Sequence, residues 1–163
     1  MGIEIRDAGS DEWPGIWAVM GPIVAAGETY CYDRDLDEAG ARARWWRDRP
    51  GRTFVAVHEG RVVGTAESHP NQGGGGAHVA NAGFMVDVEH QGQGIGKALC
   101  AHVIEAARRD GFKAMQFNAV VETNTGAVAL WRSFGFQILA TVPEAFCHPT
   151  AGYVGLHVMY RRL

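Results

Sequence analysis

Residues 86–99 read VDVEHQGQGIGKAL, a stretch in which a β-rich segment leads through a glycine-containing loop into a helix. The loop holds Gly92, Gly94 and Gly96, and apolar residues recur at helical spacing after it. The first N–H groups of a helix have no intrahelical acceptor and lie at the positive end of its dipole, so they bind phosphate groups. The stretch therefore predicts an anion-binding unit of strand, loop and helix.

Two familiar phosphate-binding motifs do not fit this loop. The Walker A motif, G-x-x-x-x-G-K-[ST], needs glycine and a hydroxyl residue where this chain has Gln91 and Ala98. The dinucleotide-binding motif, G-x-G-x-x-G, needs a third glycine where Lys97 stands. The remaining interpretation is a backbone cradle for a pyrophosphate, with the pattern Gln91-x-x-Gly94-x-Gly96.

This pattern resembles motif A of the GCN5-related N-acetyltransferases (GNAT), (R/Q)-x-x-G-x-(G/A), whose loop binds the pyrophosphate of coenzyme A. Residues 118–136 resemble motif B of the same family, since they place at the expected spacing Asn124, Ala127, Leu130 and the pair Gly135-Phe136. The two motifs and the predicted elements follow the family's order. The resemblance implies a single GNAT domain over residues 1–163, of class α/β. We expect a mixed, mostly antiparallel sheet that splays around the acetyl-CoA site, with helices on both faces.

The periodicity of apolar residues predicts the secondary structure along the chain. The predicted strands are 3–6, 53–58, 61–67, 78–88, 113–118, 136–142 and 153–161, and the predicted helices are 10–25, 35–47, 96–110 and 123–133. Ser10 or Asp11 is expected to cap the first helix. The second helix is expected to bury one face, formed by Leu36, Ala39, Ala43 and Trp46. The glycines at 73–76 predict a flexible turn.

Composition and charge exclude several classes of function. The net charge of −3 gives no overall positive field for nucleic acid or an anionic membrane. The three cysteines form no CxxC pair and the seven histidines show no metal-ligand spacing, so we expect no disulfide framework, no metal and no cysteine intermediate. No segment suits a signal peptide or a membrane span, which favours a cytoplasmic protein. A solvated helix face is the expected role of the arginine-rich stretch that holds Arg42, Arg44, Arg47, Arg49 and Arg52.

The resemblance assigns much of the site to the coenzyme. Phe84 to Val86 would present backbone N–H groups to the pantetheine arm and the thioester oxygen. The residues expected to contact acetyl-CoA are Met85, Val86, Gln91, Gly92, Gly94, Ile95, Gly96, Lys97, Asn124 and Trp131. Trp131 follows the motif B leucine, where many relatives have a tyrosine that protonates the leaving thiolate, and an indole N–H cannot be that acid. Tyr30, Tyr153 or solvent would then supply the proton.

The candidates for accepting the proton of the amine are Glu67, His69 and His78. Glu67 lies on a predicted strand beside the acceptor channel, where a partly buried carboxylate suits a general base. The alternative is an outward-facing strand residue. His69 and His78 flank the glycine-rich turn and are expected to face solvent.

A further resemblance concerns the acceptor. Asn81 and Phe84 match residues that contact the amino acid in acetyltransferases that detoxify proline analogues such as L-azetidine-2-carboxylate. The amides Asn118 and Asn124 match residues around the same active centre. The expected catalytic residues are Glu67, Asn81, Phe84 and Asn118, and the expected substrate contacts are Tyr30, Asn81 and Phe84.

These features predict an acetyl-CoA-dependent N-acetyltransferase in which the amine of a small molecule attacks the thioester directly. We expect the acceptor to be an amino acid or an amino-acid-like toxin. A protein N-terminal or lysine acetyltransferase and a catalytically degenerate acyl-CoA sensor remain as alternatives, the latter because of Trp131. No nucleic-acid or membrane partner is expected, and a homodimer is allowed.

Overall fold

Seven strands form one sheet in the order β1-β2-β3-β4-β5-β7-β6 in the computed structural model, which describes residues 2–163. The strands are β1 (Glu4–Asp7), β2 (Arg52–His58), β3 (Arg61–Pro70), β4 (Val79–Val86), β5 (Ala114–Val121), β6 (Gln137–His148) and β7 (Gly152–Arg162). The helices are α1 (Trp13–Ala26), α2 (Glu38–Trp45), α3 (Ile95–Arg109) and α4 (Thr125–Ser133). The predicted α/β class with a mostly antiparallel sheet is confirmed.

The sheet opens between β4 and β5, the parallel pair of the described chain. These two strands pair only at Val79–Ala114 and Ala80–Met115, whereas β4 pairs with β3 over its whole length. β5 instead follows β7, and its register becomes irregular after Phe117. A gap therefore widens along the C-terminal half of β4, as the family resemblance implies.

Each face of the sheet carries its own apolar core. Phe54 and Ala56 of β2 pack on the side of α3 and α4, whereas Val55 packs on the side of α1 and α2. This alternation follows from the strand period of two. Ile95 and Leu99 supply part of the buried ridge of α3. Helices therefore cover both faces, as predicted.

α3 lies close against β3 because Gly64 has no side chain. A Cβ at that position would lie 3.0 Å from Ile95 Cγ2 and 3.1 Å from Leu99 Cδ1. Both side chains are almost wholly buried, and burying each one contributes about 1.5–3 kcal/mol. This packing fixes the start of α3, and the glycine loop before it, against the sheet.

The first helix begins later than predicted. Ser10–Glu12 form a 3-10 turn, α1 starts at Trp13, and neither predicted side chain caps it. The Glu12 carboxylate instead accepts from the Gly9 N–H and from Arg6, at 2.8 Å and 2.7 Å. These two bonds hold the chain in the tighter turn.

α2 is shorter than the predicted helix and buries a different face. Its first turn is capped by Asp37, which accepts from the Gly40 N–H at 2.8 Å. The helix ends at Trp45 because Trp46 has an extended backbone, with φ −70° and ψ 127°. Ala41 and Trp45 are fully buried, in place of the face predicted around Trp46.

The last two strands are longer than predicted, because β6 and β7 pair as one hairpin as far as His148 and Gly152. Tyr153 lies on this hairpin and is 71% exposed. The predicted flexible turn contains a 3-10 turn at Gly74–Gly76. Among residues 2–163, no helix combines the length and the apolar character needed to cross a membrane.

Candidate active site

A cleft of about 510 Å³ lies where β4 and β5 separate. Its walls come from the loop after α1, from β3, β4 and β5, and from α4. The sequence-predicted site residues along this lining are Tyr30, Glu67, Asn81, Phe84, Met85, Val86, Gln91, Asn118, Asn124 and Trp131. The fold thus gathers residues from separate segments around one gap in the sheet.

Three residues of β4 direct their backbone N–H and C=O groups away from β3 and toward the gap. The N–H and the C=O of Phe84 both bond to the Tyr30 hydroxyl, whereas the Asp87 N–H donates to Val63 O on β3 at 2.9 Å. Alternation along the strand therefore turns Ala82 and Val86 toward the gap, like Phe84. The Asn81 side chain accepts from the Ala82 N–H at 2.8 Å, and within the described chain the Val86 N–H finds no acceptor.

Tyr30 bridges the two backbone groups of Phe84. Its hydroxyl donates to Phe84 O at 2.7 Å and accepts from the Phe84 N–H at 2.8 Å. The Tyr30 ring stacks on Tyr32, with centroids 5.5 Å apart, and meets Trp45 edge-on at 5.9 Å. Burial raises the pKa of Tyr30 far above its ordinary value, and burial raises that of Tyr32 to about 12. Both phenols therefore keep their protons at physiological pH.

Aromatic side chains line the opposite wall of the cleft. The Phe84 ring lies 4.9 Å from Trp131 and 6.1 Å from Phe117, between centroids. Phe117 stacks on Phe136 at 4.4 Å. This cluster belongs to the core beneath α3 and α4, and it gives the cleft a flat apolar wall.

The glycine loop continues from Gln91 at one end of the cleft. Gly92 and Gly94 have φ values of +76° and +82°, in the left-handed region that favours glycine. The Ala98 N–H makes the first helical bond, to Gly94 O at 3.0 Å. Within the described chain, the N–H groups of residues 91–97 have no acceptor. This part of the predicted motif therefore presents a row of free donors at the start of α3.

Five of the predicted coenzyme residues lie in this loop, beyond the lining of the cleft, namely Gly92, Gly94, Ile95, Gly96 and Lys97. The Ile95 side chain packs in the core, so only its backbone faces the loop's open side. Lys97 is exposed in the first turn of α3, where its ammonium group adds positive charge.

A charged row lies at the other end of the cleft. Glu67 is 6% exposed, and its Oε2 accepts from Arg47 Nε at 2.9 Å and lies 2.7 Å from His69 Nδ1. All three residues line the cleft. Because Oε2 already meets both partners, the carboxylate holds the imidazole and the guanidinium in place.

Two sequence predictions fail in this row. Arg47 lies outside α2 and contacts Glu67, rather than standing on a solvated helix face. His69 is bonded to the same carboxylate, with its side chain only 24% exposed, rather than facing solvent. His78 is exposed, as predicted. Glu67 points into the cleft, so its outward-facing alternative is wrong.

Two other side-chain amides hold the amide group of Asn118. It donates to Asn71 Oδ1 at 2.7 Å and accepts from Gln116 Nε2 at 3.0 Å. Asn124 begins α4 and lines the cleft, although its side chain does not cap the helix. The Asn124 side chain therefore remains available to a ligand.

The two ends of the site lie on opposite faces of the sheet. Glu67 and His69 share a strand face with Thr65, which contacts Trp45 on the α2 side. The Phe84 ring packs on the side of α3 and α4 instead. A ligand held by the glycine loop and one held by the charged row can meet only at the gap between β4 and β5.

Burial raises the pKa of the Cys100 thiol to about 12 and also raises that of Cys31. In the part of the chain that the structure describes, no group of three His, Cys, Asp or Glu residues could hold a metal ion.

The family model described as "Acetyltransferase (GNAT) family" matches residues 16–136. The chain belongs to the GNAT family. It is 54% identical to a GCN5-related N-acetyltransferase of Kribbella flavida, whose structure superimposes with a TM-score of 0.95 and coverage of 99% of this chain and 98% of that one. This acetyltransferase uses acetyl-CoA as its co-substrate.

Two sequence relatives add detail. The L-methionine sulfoximine/L-methionine sulfone acetyltransferase of Pseudomonas aeruginosa is 30% identical over 151 residues, covering 88% of this chain and 86% of that protein. N-acetyltransferase aca1 of Schizosaccharomyces pombe is 33% identical over 84 residues, which are 52% of this chain. That second match spans only 40% of the aca1 protein.

The residues of this acetyltransferase fit the co-substrate. The open left-handed glycines at 92 and 94 have no atom within 4 Å of where a Cβ would stand, so the loop leaves room for a pyrophosphate. The Val86 N–H is free to bind an amide of the pantetheine arm. Gly96 lies near Leu130 of α4, 3.5 Å from Cδ2 to the position of a Cβ, which brings the two motifs together.

Proposed function

We propose that this acetyltransferase transfers the acetyl group to the amine of a free amino acid or an amino-acid-like toxin. The observation that carries the proposal is the charged row Arg47–Glu67–His69 at the acceptor end of the cleft. Arg47 engages Glu67 through Nε, which leaves its terminal nitrogens for a substrate carboxylate. The named substrates of the Pseudomonas aeruginosa relative, both amino-acid analogues, support the same class.

For acetyl-CoA, we propose binding roles that follow from the positions of the free backbone N–H groups. The N–H groups from Gln91 to Lys97 hold the pyrophosphate at the start of α3. The gap-facing backbone of Val86 holds the pantetheine arm, and Met85 lies beside it in the lining of the cleft. Asn124 contacts the arm from α4, and the Trp131 ring covers it on the apolar side.

For the acceptor, Asn81 keeps Nδ2 as a donor while its Oδ1 serves the Ala82 N–H. Tyr30 and Phe84 form the wall nearest the thioester, and Asn118 closes the side toward β5. These contacts place the amine nitrogen over the gap. Holding two reactants in line in this way supplies much of the rate of an acyl transfer.

The reaction needs a neutral amine. Acetyl-CoA supplies the acetyl group as an activated thioester. The amine nitrogen attacks the carbonyl carbon, the C–S bond breaks, and the sulfur leaves with the electron pair. The proton of the amine passes to the Glu67–His69 pair, the nearest ionisable pair on the acceptor face. Solvent protonates the thiolate, since Trp131 cannot and Tyr153 lies outside the cleft.

Glu67→Gln tests this proton path, because it keeps the side chain's size and removes its charge. We expect a lower kcat and the loss of one limb of the pH–rate profile. His78→Gln is the control, since His78 is exposed on the glycine-rich connection between β3 and β4. It should leave kcat and the pH–rate profile unchanged. An unaltered pH profile in the Glu67 variant would show that the proton leaves by another route.

A substrate panel tests the proposed acceptor. Thiol release from acetyl-CoA would be followed with methionine sulfone, methionine sulfoximine, azetidine-2-carboxylate, the corresponding amides, and peptides with free N-terminal or lysine amines. We expect kcat/KM to be highest for an amino acid and to fall at least tenfold for its amide, which lacks the carboxylate. Preference for peptides would support protein acetylation, and tight coenzyme binding without turnover would support the sensor favoured by Trp131.

Two further proposals concern the setting of the enzyme. The first is a cytoplasmic location, which fractionation of the native host with an antibody would test. A homodimer is proposed through the exposed β6–β7 hairpin, whose apolar side chains include Leu139 and Val142, at 59% and 50% exposure. Light scattering of the purified chain measures the mass, and a strictly monomeric mass would contradict the dimer.

A further inference from the structure

The Tyr30 hydroxyl engages the backbone N–H that a thioester oxygen at the gap would need. The Phe84 N–H is the central gap-facing donor of β4, between Ala82, whose N–H is taken by Asn81, and Val86. A thioester carbonyl above the gap has to accept from this N–H if it is to be polarised at the point where the two faces meet. In the structure, the acceptor of that N–H is the Tyr30 hydroxyl, at 2.8 Å.

We infer that Tyr30 is a catalytic residue, whose hydroxyl and the Phe84 N–H together donate hydrogen bonds to the thioester oxygen. The inference rests on the proposed acetyl transfer and adds a donor to it. The incoming thioester oxygen replaces Tyr30 Oη as the acceptor of the Phe84 N–H, and the Tyr30 hydroxyl keeps its own proton. The phenolic proton, which now points to Phe84 O at 2.7 Å, turns to the incoming oxygen by rotation about the C–O bond.

The two donors act when the bond to nitrogen forms. As the amine nitrogen attacks, the π pair of the carbonyl moves onto oxygen, and the negative charge develops between Tyr30 Oη–H and the Phe84 N–H. The electron pair on oxygen re-forms the C=O double bond when the C–S bond breaks and the thiolate departs. Tyr30 keeps its proton throughout, so no proton is gained or lost at this position.

The surroundings of Tyr30 suit a fixed donor. Tyr32 stacks on one side of the ring and Trp45 meets it edge-on, so the hydroxyl is held in place before the substrate arrives. Trp45 itself is fixed by its bond to Thr65 Oγ1 at 3.0 Å. Burial raises the pKa of Tyr30, which keeps the phenol protonated, and therefore a donor, at physiological pH. A preorganised donor of this kind costs no reorganisation during the reaction.

Tyr30→Phe is the kinetic test, with Tyr153→Phe on the exposed hairpin as the matched control. Removing one oxyanion donor lowers kcat about 100- to 1000-fold, and we expect that loss on the best acceptor found for the wild type. The affinity for coenzyme A, which has no acyl oxygen, should stay within about twofold by calorimetry, since no bond to it is lost. A kcat close to the control, or an equal loss of coenzyme A affinity, would overturn the inference.

A second measurement uses the wild-type protein and needs no acceptor. The amide resonance of Phe84 in ¹⁵N-labelled enzyme should shift with acetyl-CoA and stay near its free position with coenzyme A, because only the thioester oxygen replaces Tyr30 as its acceptor. Identical spectra in the two complexes would refute the role of Tyr30 even if Tyr30→Phe did not fold. If the shift occurs but no amine is acetylated, the proposed function fails, and of the inference only the replacement of Tyr30 by the thioester oxygen as acceptor of the Phe84 N–H stands.

Discussion

Gly94→Ala separates the backbone role of this glycine from its role in coenzyme binding. Gly94 has φ +82°, where an L-residue costs about 1–2 kcal/mol, so the variant should lose that much stability. Since 1 kcal/mol lowers the Tm of a domain of this size by about 2–4 °C, we expect a drop of about 2–8 °C. The new Cβ meets no protein atom within 4 Å, so at the proposed coenzyme site it would crowd the pyrophosphate and not the protein.

Gly111→Ala is the matched control at the other end of α3. Its φ of +92° and its open surroundings impose the same kind of backbone cost, but it lies away from the cleft. Calorimetry with coenzyme A, well below both Tm values, should give a Kd at least tenfold weaker for Gly94→Ala, about 1.4 kcal/mol, and an unchanged Kd for Gly111→Ala. Gly94→Glu should bind too weakly to measure, because it adds a negative charge. Equal losses in the two alanine variants, or retained affinity in the glutamate variant, would refute the assignment of motif A.

Three other predictions address the acceptor, the core and the pH dependence. Asn81→Ala should raise KM for the amine more than the Kd for acetyl-CoA, and equal effects would argue against an acceptor role. Thr65→Val leaves the buried Trp45 N–H without its acceptor, so urea unfolding should show a loss of about 1–3 kcal/mol, which a fully stable variant would disprove. The hydrogen bond from Arg52 lowers the pKa of Asp7 below 3.8, so this pair stabilises the fold above pH 3.8 and ceases to do so as the pH falls through the lowered pKa. Asp7→Asn should therefore lower the free energy of unfolding at neutral pH by at most about 1 kcal/mol, because the pair is partly exposed, and a difference from wild type that persisted at the acid end would contradict this account.

The glycine loop and its free N–H groups could be predicted from the sequence because their determinants are local. Gly92 and Gly94 need positive φ, the first turn of α3 supplies free N–H groups, and both facts follow from a few consecutive residues. The splay between β4 and β5 followed only from the family resemblance. No periodicity in either strand indicates where their pairing stops.

The acceptor half depends on contacts between distant segments, and two of the predictions made for it are wrong. Arg47 was placed on a helix predicted to run to residue 47, but the extended backbone of Trp46 turns it toward Glu67. His69 was placed beyond a strand predicted to end at residue 67. The sequence does hold a signal for this contact. If the strand continues to Pro70, as it does in the structure, His69 lies on the same face as Glu67, because residues two apart along a strand share a face.

Gly83 shows why the acceptor side can be so densely occupied. A Cβ there would stand 3.0 Å from the Trp45 ring and 3.3 Å from Glu67 Oε1, so a side chain would push both away from β4. Without one, Trp45 packs against the strand and braces the Tyr30 ring, while Glu67 stays beside the gap. The position that lacks a side chain thus lets two functional groups from different segments approach one point of the backbone. This places the Glu67–His69 pair, through which we propose that the proton leaves, on the same side of β4 as the Tyr30 ring and opposite the apolar wall around Trp131.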